Sequence, residues 1–200
     1  VARQPRRTME TRRLTPTRCA FAGWQAPGAP RVWALPTPPC AARSAVRALA
    51  RAALADLLGV TTLTNLRGEA PRAPDRPDLH LSLSHAEGLS LLACHSAPVG
   101  VDVQALPVQA DAATAALFLG PNWHLSQCGK AQEAPISIAF SAAWTQHEAR
   151  LKCAGEPLVE WSEALAARLA RYHCAPLHGA ALRGWCAAVA WQPSGTIQSL

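Results

Sequence analysis

Two hundred residues, half of them hydrophobic, can fill one large core or two small ones, which excludes a disordered chain and a disulfide-stapled miniprotein. The net charge of +6 suggests a nucleic-acid protein only until it is located. Arg3, Arg6, Arg7, Arg12, Arg13 and Arg18 face Glu10 alone, so residues 1–18 carry +5 and the rest of the chain is nearly neutral.

Residues 1–18 are therefore expected to form a basic, disordered tail. It is rich in Arg and poor in acids, as transit peptides are, but it lacks an amphipathic period. No apolar run reaches the ~20 residues that cross a bilayer, and no signal-peptide core is present. The seven cysteines are odd in number and contain no CxxC pair, which argues against zinc and a disulfide framework and for reduced thiols in the cytoplasm. Pro27, Pro30, Pro36, Pro38 and Pro39 interrupt the next stretch and leave Arg31–Leu35 as a short strand. Pro39 opens a helix over Cys40–Leu58 that Gly59 closes. Val46, Leu49, Ala50, Ala53, Leu54, Leu57 and Leu58 form its apolar stripe. Arg43, Arg47 and Arg51 make a second row, either a solvated face or an anion site. Residues 66–78 are a polar, Pro-rich loop that includes Arg67, Arg72 and Arg76.

Strict alternation over Leu79–His85 predicts a strand with Leu79, Leu81 and Leu83 on one face and His80, Ser82 and Ser84 on the other. Glu87-Gly88 turns the chain into a buried strand, Leu89–Cys94. After a turn at Ser96–Pro98, Val99–Gln104 reads as the third strand of a meander. Val99, Val101 and Val103 point inward there, and Gly100, Asp102 and Gln104 share the opposite face. A short helix is expected over Asp111–Leu119, then a loop over 120–135, a strand over Ile136–Phe140 and a helix over Ser141–Gly155. A further helix over Trp161–Tyr172 precedes a strand over Gly184–Trp191. That last strand echoes Gly88–His95, and each half holds a long helix, which points to two related halves.

The helix from Ser141 places Trp144, Glu148 and Lys152 close to one line. Two readings of that line are open. Glu148 and Lys152 have the orientation of an exposed i,i+4 ion pair, and Thr145 with Glu148 fits a capping box. Alternatively, an aromatic ring, a carboxylate and an ammonium on one face are the parts of a site.

Ser82-Leu-Ser-His85, Val99-Gly-Val-Asp-Val103 and Trp144-Thr-Gln-His-Glu-Ala-Arg-Leu-Lys152, in that order, resemble the motifs of the 4′-phosphopantetheinyl transferases of the larger, two-lobed, Sfp-like type. The resemblance covers roughly Arg31–Trp191. It implies an α+β fold of two similar pseudo-symmetric lobes, each a long helix on a small antiparallel sheet. The division would be residues 1–18 as tail, 19–98 as the N-terminal lobe and 99–200 as the C-terminal lobe with the metal and catalytic residues. The implied reaction moves 4′-phosphopantetheine from coenzyme A to a serine of an apo acyl or peptidyl carrier protein and releases adenosine 3′,5′-bisphosphate. Mg²⁺ would be held by Asp102 and Glu148 with the neutral oxygen of Gln104. Glu148 would also be the base, and Lys152 would meet the phosphates. Ser84, His85 and His147 would contact coenzyme A, with Arg43, Arg47 or Arg72 reaching its 3′-phosphate. Two residues depart from the family pattern: Gln104 stands where many relatives have Glu, and His147 where they usually have Lys. The latter would be charged only part of the time near neutral pH. The implied protein is a cytoplasmic monomer that uses no nucleic acid and no membrane. The alternative is a catalytically weak homologue that only binds coenzyme A or a carrier protein.

Overall fold

Strand pairing divides the chain between two four-stranded antiparallel sheets. They are seen in a computed structural model that describes residues 15–21, 28–40, 42–64, 70–106, 112–123 and 136–193. The strands are β1 (Thr17–Arg18), β2 (Ala20–Phe21), β3 (Arg31–Pro36), β4 (His80–Ala86), β5 (Leu89–His95), β6 (Val99–Ala105), β7 (His173–His178) and β8 (Trp185–Trp191). The first sheet runs β1-β3-β5-β4 and the second β2-β7-β8-β6. Four α-helices complete the described residues: α1 (Arg43–Leu58), α2 (Ala112–Leu119), α3 (Ile136–Ala154) and α4 (Glu163–Leu169). The class is α+β. No described helix is long and apolar enough to cross a membrane, and the six described cysteines are free.

Alternation along each strand explains the layering. Val32 and Ala34 of β3 and Leu89, Leu91 and Ala93 of β5 meet Val99, Val101 and Val103 of β6 and Val189 of β8 in a core between the sheets. The intervening residues Trp33, Leu35, Leu92 and Cys94 face outward, where Ala53 and Leu54 of α1 cover them. Ala188 and Ala190 on the outer face of β8 pack against Ala149 and Cys153 of α3. The order is thus helix, sheet, sheet, helix, and β5 is buried at every position because both its faces are covered. The apolar stripe read from residues 46–58 is the buried side of α1. Gly59 stops that helix in the left-handed region at φ 67°, its N–H returning to the Ala55 carbonyl.

Several expectations need correction. The predicted three-stranded meander ends after two strands: β4 and β5 form a hairpin, but β6 leaves to pair with β8 in the second sheet. The other edge of β6 faces β4, where serine hydroxyls take the place of a ladder. Ser82 Oγ accepts from Val101 N at 3.0 Å and Ser84 Oγ from Val103 N at 3.2 Å. Ile136–Phe140 is the start of α3 rather than a strand, because a short apolar run has no period that separates the two. Thr17–Arg18, the last residues of the expected tail, pair with β3. Ala20–Phe21, assigned to the first lobe, instead pairs with β7 in the second sheet. Residues 1–14, and most of the loop expected over 120–135, lie outside the described residues. Strand β7 was not predicted at all. Pro176 weakens its pattern; the described residues of β2 pair with Leu177 and His178, beyond the proline.

Candidate functional site

Gly100 brings the site together. A Cβ at this position would overlap the Ala149 carbonyl oxygen and lie 2.5 Å from Cys153 N. Only glycine lets β6 and α3 approach so closely, and a glycine inside a strand pattern is the sequence sign of such an approach. Two residues further along β6, on the same face, Asp102 is 1% exposed. Its Oδ1 accepts from Lys152 Nζ at 2.6 Å and from Ser84 Oγ at 2.8 Å, and its Oδ2 from Gln104 Nε2 at 3.0 Å. Lys152 Nζ also reaches Ser84 Oγ at 3.2 Å and Glu148 Oε2 at 3.7 Å. Glu148 and Lys152 are therefore an i,i+4 pair, as one reading of the sequence had it, and at the same time part of a buried cluster.

Glu148 is the unsettled member of this cluster. Burial raises its pKa, the Asp102 carboxylate raises it further, and Lys152 and the Trp144 indole act in the opposite direction. Trp144 is itself fixed between Phe118, edge-on at a centroid distance of 5.8 Å, and Phe140 at 5.5 Å. The line of Trp144, Glu148 and Lys152 is thus anchored by stacking at one end and by an ion pair with β6 at the other.

Of the residues expected at the site, Ser84, Asp102, Gln104, Glu148 and Lys152 come together. His85 does not join them: it is exposed near the end of β4, on the opposite face of the strand from Ser84, with Nδ1 3.2 Å from Ser90 Oγ. The arginines lie elsewhere. Arg43 is exposed in the first turn of α1, and Arg47 lines a cavity with Leu54, Leu63 and Leu83. Arg72 lines another with Thr64, His80 and Leu81. His147 is on a different side of α3 from Lys152, in a cavity bounded by α2 and α4. It is not a part-time cation near neutral pH: burial, reinforced by the Arg150 charge, pushes its pKa down to about 4.

Comparison of the chain with models of protein families and with curated proteins finds no match. Among the described residues, no group of three His, Cys, Asp or Glu is placed to hold a metal ion. Two carboxylates and an amide are nonetheless gathered, and these are hard oxygen donors of the kind Mg²⁺ takes together with water and phosphate. Glu148 lies near enough to Asp102 for the second carboxylate to add to the rise that burial gives its pKa, and Lys152 supplies positive charge between the two in this structure. The donor chemistry fits a magnesium ion.

Proposed function

We propose that the chain transfers 4′-phosphopantetheine from coenzyme A to a serine of an apo acyl or peptidyl carrier protein. The observation that carries this reading is the meeting of Ser84, Asp102, Glu148 and Lys152. Three separate stretches of the chain, each resembling a motif of the phosphopantetheinyl transferases, contribute to one cluster. The connection of the strands adds support for two similar lobes. In the first half a strand, a helix and a hairpin give the order β3-β5-β4, and in the second the corresponding strands run β6-β8-β7.

In the proposed reaction the carrier serine oxygen attacks the phosphorus nearer the pantetheine, and the diphosphate bond on its far side breaks. Adenosine 3′,5′-bisphosphate leaves, and the serine proton passes to Glu148 directly or through water. A carboxylate made more basic by burial suits that role. Lys152, one-third exposed, would turn its ammonium from Asp102 toward the phosphates and stabilise the charge that develops there. Asp102, Glu148 and the Gln104 amide oxygen would hold Mg²⁺, which neutralises the diphosphate when bound.

The test is incubation with coenzyme A, Mg²⁺ and several apo carrier proteins, followed by intact-mass measurement. A gain of one phosphopantetheine is expected, slowed at least ~100-fold in Glu148→Gln. A folded protein that binds coenzyme A and modifies no carrier would leave a binding homologue in place of the enzyme. A folded protein that binds neither coenzyme A nor any carrier would overturn the family reading itself.

A further inference from the structure

The cavity between α2, α3 and α4 has no part in that reaction, and its lining is chemically unusual. It encloses about 260 Å³ and is bounded by Trp123, Ala143, His147, Arg150, Trp161 and Leu165, among others. Two buried nitrogens there, His147 Nε2 and Arg150 Nε, have no hydrogen-bond partner among the described residues. A buried donor left without an acceptor costs about 1–3 kcal/mol, and native structures leave few of them. Among the described residues no carboxylate lines the cavity, and none of them pairs with either nitrogen. The acids nearest in sequence are engaged elsewhere: Glu148 with Lys152, and Glu156 with Arg168 at 3.2 Å.

The walls are rigid and aromatic. Trp161 is held by its backbone N–H on the Leu117 carbonyl at 2.8 Å. Its ring lies so close to Gly120 that a Cβ there would come within 2.7 Å, and Gly120 also needs its positive φ of 89° to turn the chain. Trp123 stands edge-on to Phe140 at 5.9 Å. A volume below the ~300 Å³ at which pockets for drug-sized molecules begin suits a small occupant.

We propose that this cavity binds a small carboxylic acid, with its carboxylate on Arg150 and His147 and its apolar body between Trp123 and Trp161. The permanent guanidinium charge selects an anion. Arg150 Nε–H, and His147 Nε2 in the tautomer that carries its proton there, can donate to the two oxygens of a carboxylate, whereas a phosphate brings three and lacks the apolar body that two indoles would cover. This inference rests on the cavity alone and stands or falls apart from the transferase reading.

The probes are hexanoate, benzoate and inorganic phosphate, titrated into the full chain and followed by calorimetry and tryptophan fluorescence. Saturable binding of the two carboxylates is expected, with phosphate at least tenfold weaker. Arg150→Gln should weaken carboxylate binding at least tenfold. Ala143→Phe keeps every charge and fills the space, and it should abolish binding even if Arg150→Gln fails to fold. Absence of saturable binding to the wild-type chain would overturn the proposal. So would phosphate binding as well as hexanoate, or carboxylate binding unchanged in a folded Ala143→Phe variant.

Discussion

The two sides of α3 bury charge in opposite ways. On the side of Glu148 and Lys152, each polar group has a partner from the chain itself: Lys152 has Asp102, Ser84 and Glu148, and both oxygens of Asp102 are engaged. On the side of His147 and Arg150, one turn of the same helix leaves two buried nitrogens without an acceptor. Residues 147 and 148 are adjacent in sequence, yet the helical period sends them to these different environments. A satisfied cluster is preorganised for charge that develops during a reaction, while an unsatisfied one is preorganised for a partner that arrives from outside. The difference lies in what faces the helix: a strand edge carrying Asp102 and Gln104, or two helices and two indoles that, among the described residues, turn no acid into the cavity.

The contrast depends on how tightly α3 is held to β6, and Gly100→Ala tests that most severely. The added methyl would meet the backbone of Ala149 and Cys153, and no change of rotamer relieves a backbone clash. The strand and helix must separate, at a cost near ~3 kcal/mol, the upper end for overpacking. The shift should appear in the midpoint of urea unfolding, together with lost carrier modification as Asp102 and Lys152 part. A loss below ~1 kcal/mol would mean that this contact does not set the geometry of the site.

Breaking pairs on each side should give unequal losses. Lys152→Met leaves Asp102 buried with only Ser84 and Gln104 as donors, an uncompensated charge expected to cost about 3 kcal/mol. Asp102→Asn leaves an ammonium that is one-third exposed and can reach water, so about 1 kcal/mol is expected. The double variant should recover about 1–2 kcal/mol relative to the sum, the coupling of a contacting pair. Arg150→Met, on the other side, breaks no hydrogen bond of its Nε and removes an unpaired buried donor, so it should leave stability unchanged or raise it. Equal losses on both sides would remove the distinction. The measurement is again the urea midpoint, with the slope checked for constancy.

What the sequence revealed follows the same division. Period-2 alternation fixed the faces of residues 79–85 and 99–104, and Leu81 and Val101 are buried as that pattern requires. It could not say which strand β6 would pair with, because β5 and β8 offer similar apolar partners and the pairing it makes is with residues 80 to 92 positions away. Asp102, Glu148 and Lys152 were legible because each sits in a short local pattern with a chemical meaning. The cavity was not legible. His147 and Arg150 are neighbours on a helix face, but Trp123 and Trp161 reach them only through the packing of α2 and α4. Two local signs were available and unread: Gly100 inside a strand, and Gly120 before a proline.

The smallest effect concerns pH, where the two sides should pull in opposite directions. The folded state holds His147 near a pKa of about 4, below the ordinary value of 6.5, so between these limits the unfolded chain binds more protons. Stability from this residue is complete above pH 6.5 and falls as pH drops toward 4. At pH 6 the loss is below ~1 kcal/mol, and solvent screening at a partly exposed group reduces it further. Glu148 has its pKa raised, so the folded state binds more protons than the unfolded one just above the ordinary carboxyl value, and stability from it rises as pH falls. His147→Leu should therefore flatten the decline in urea midpoint between neutral pH and pH 5, and Glu148→Gln should steepen it. Parallel curves for the two variants would show that α3 does not present two electrostatically distinct sides. The same shift in both would place His147 in the electrostatic surroundings of the Asp102 cluster.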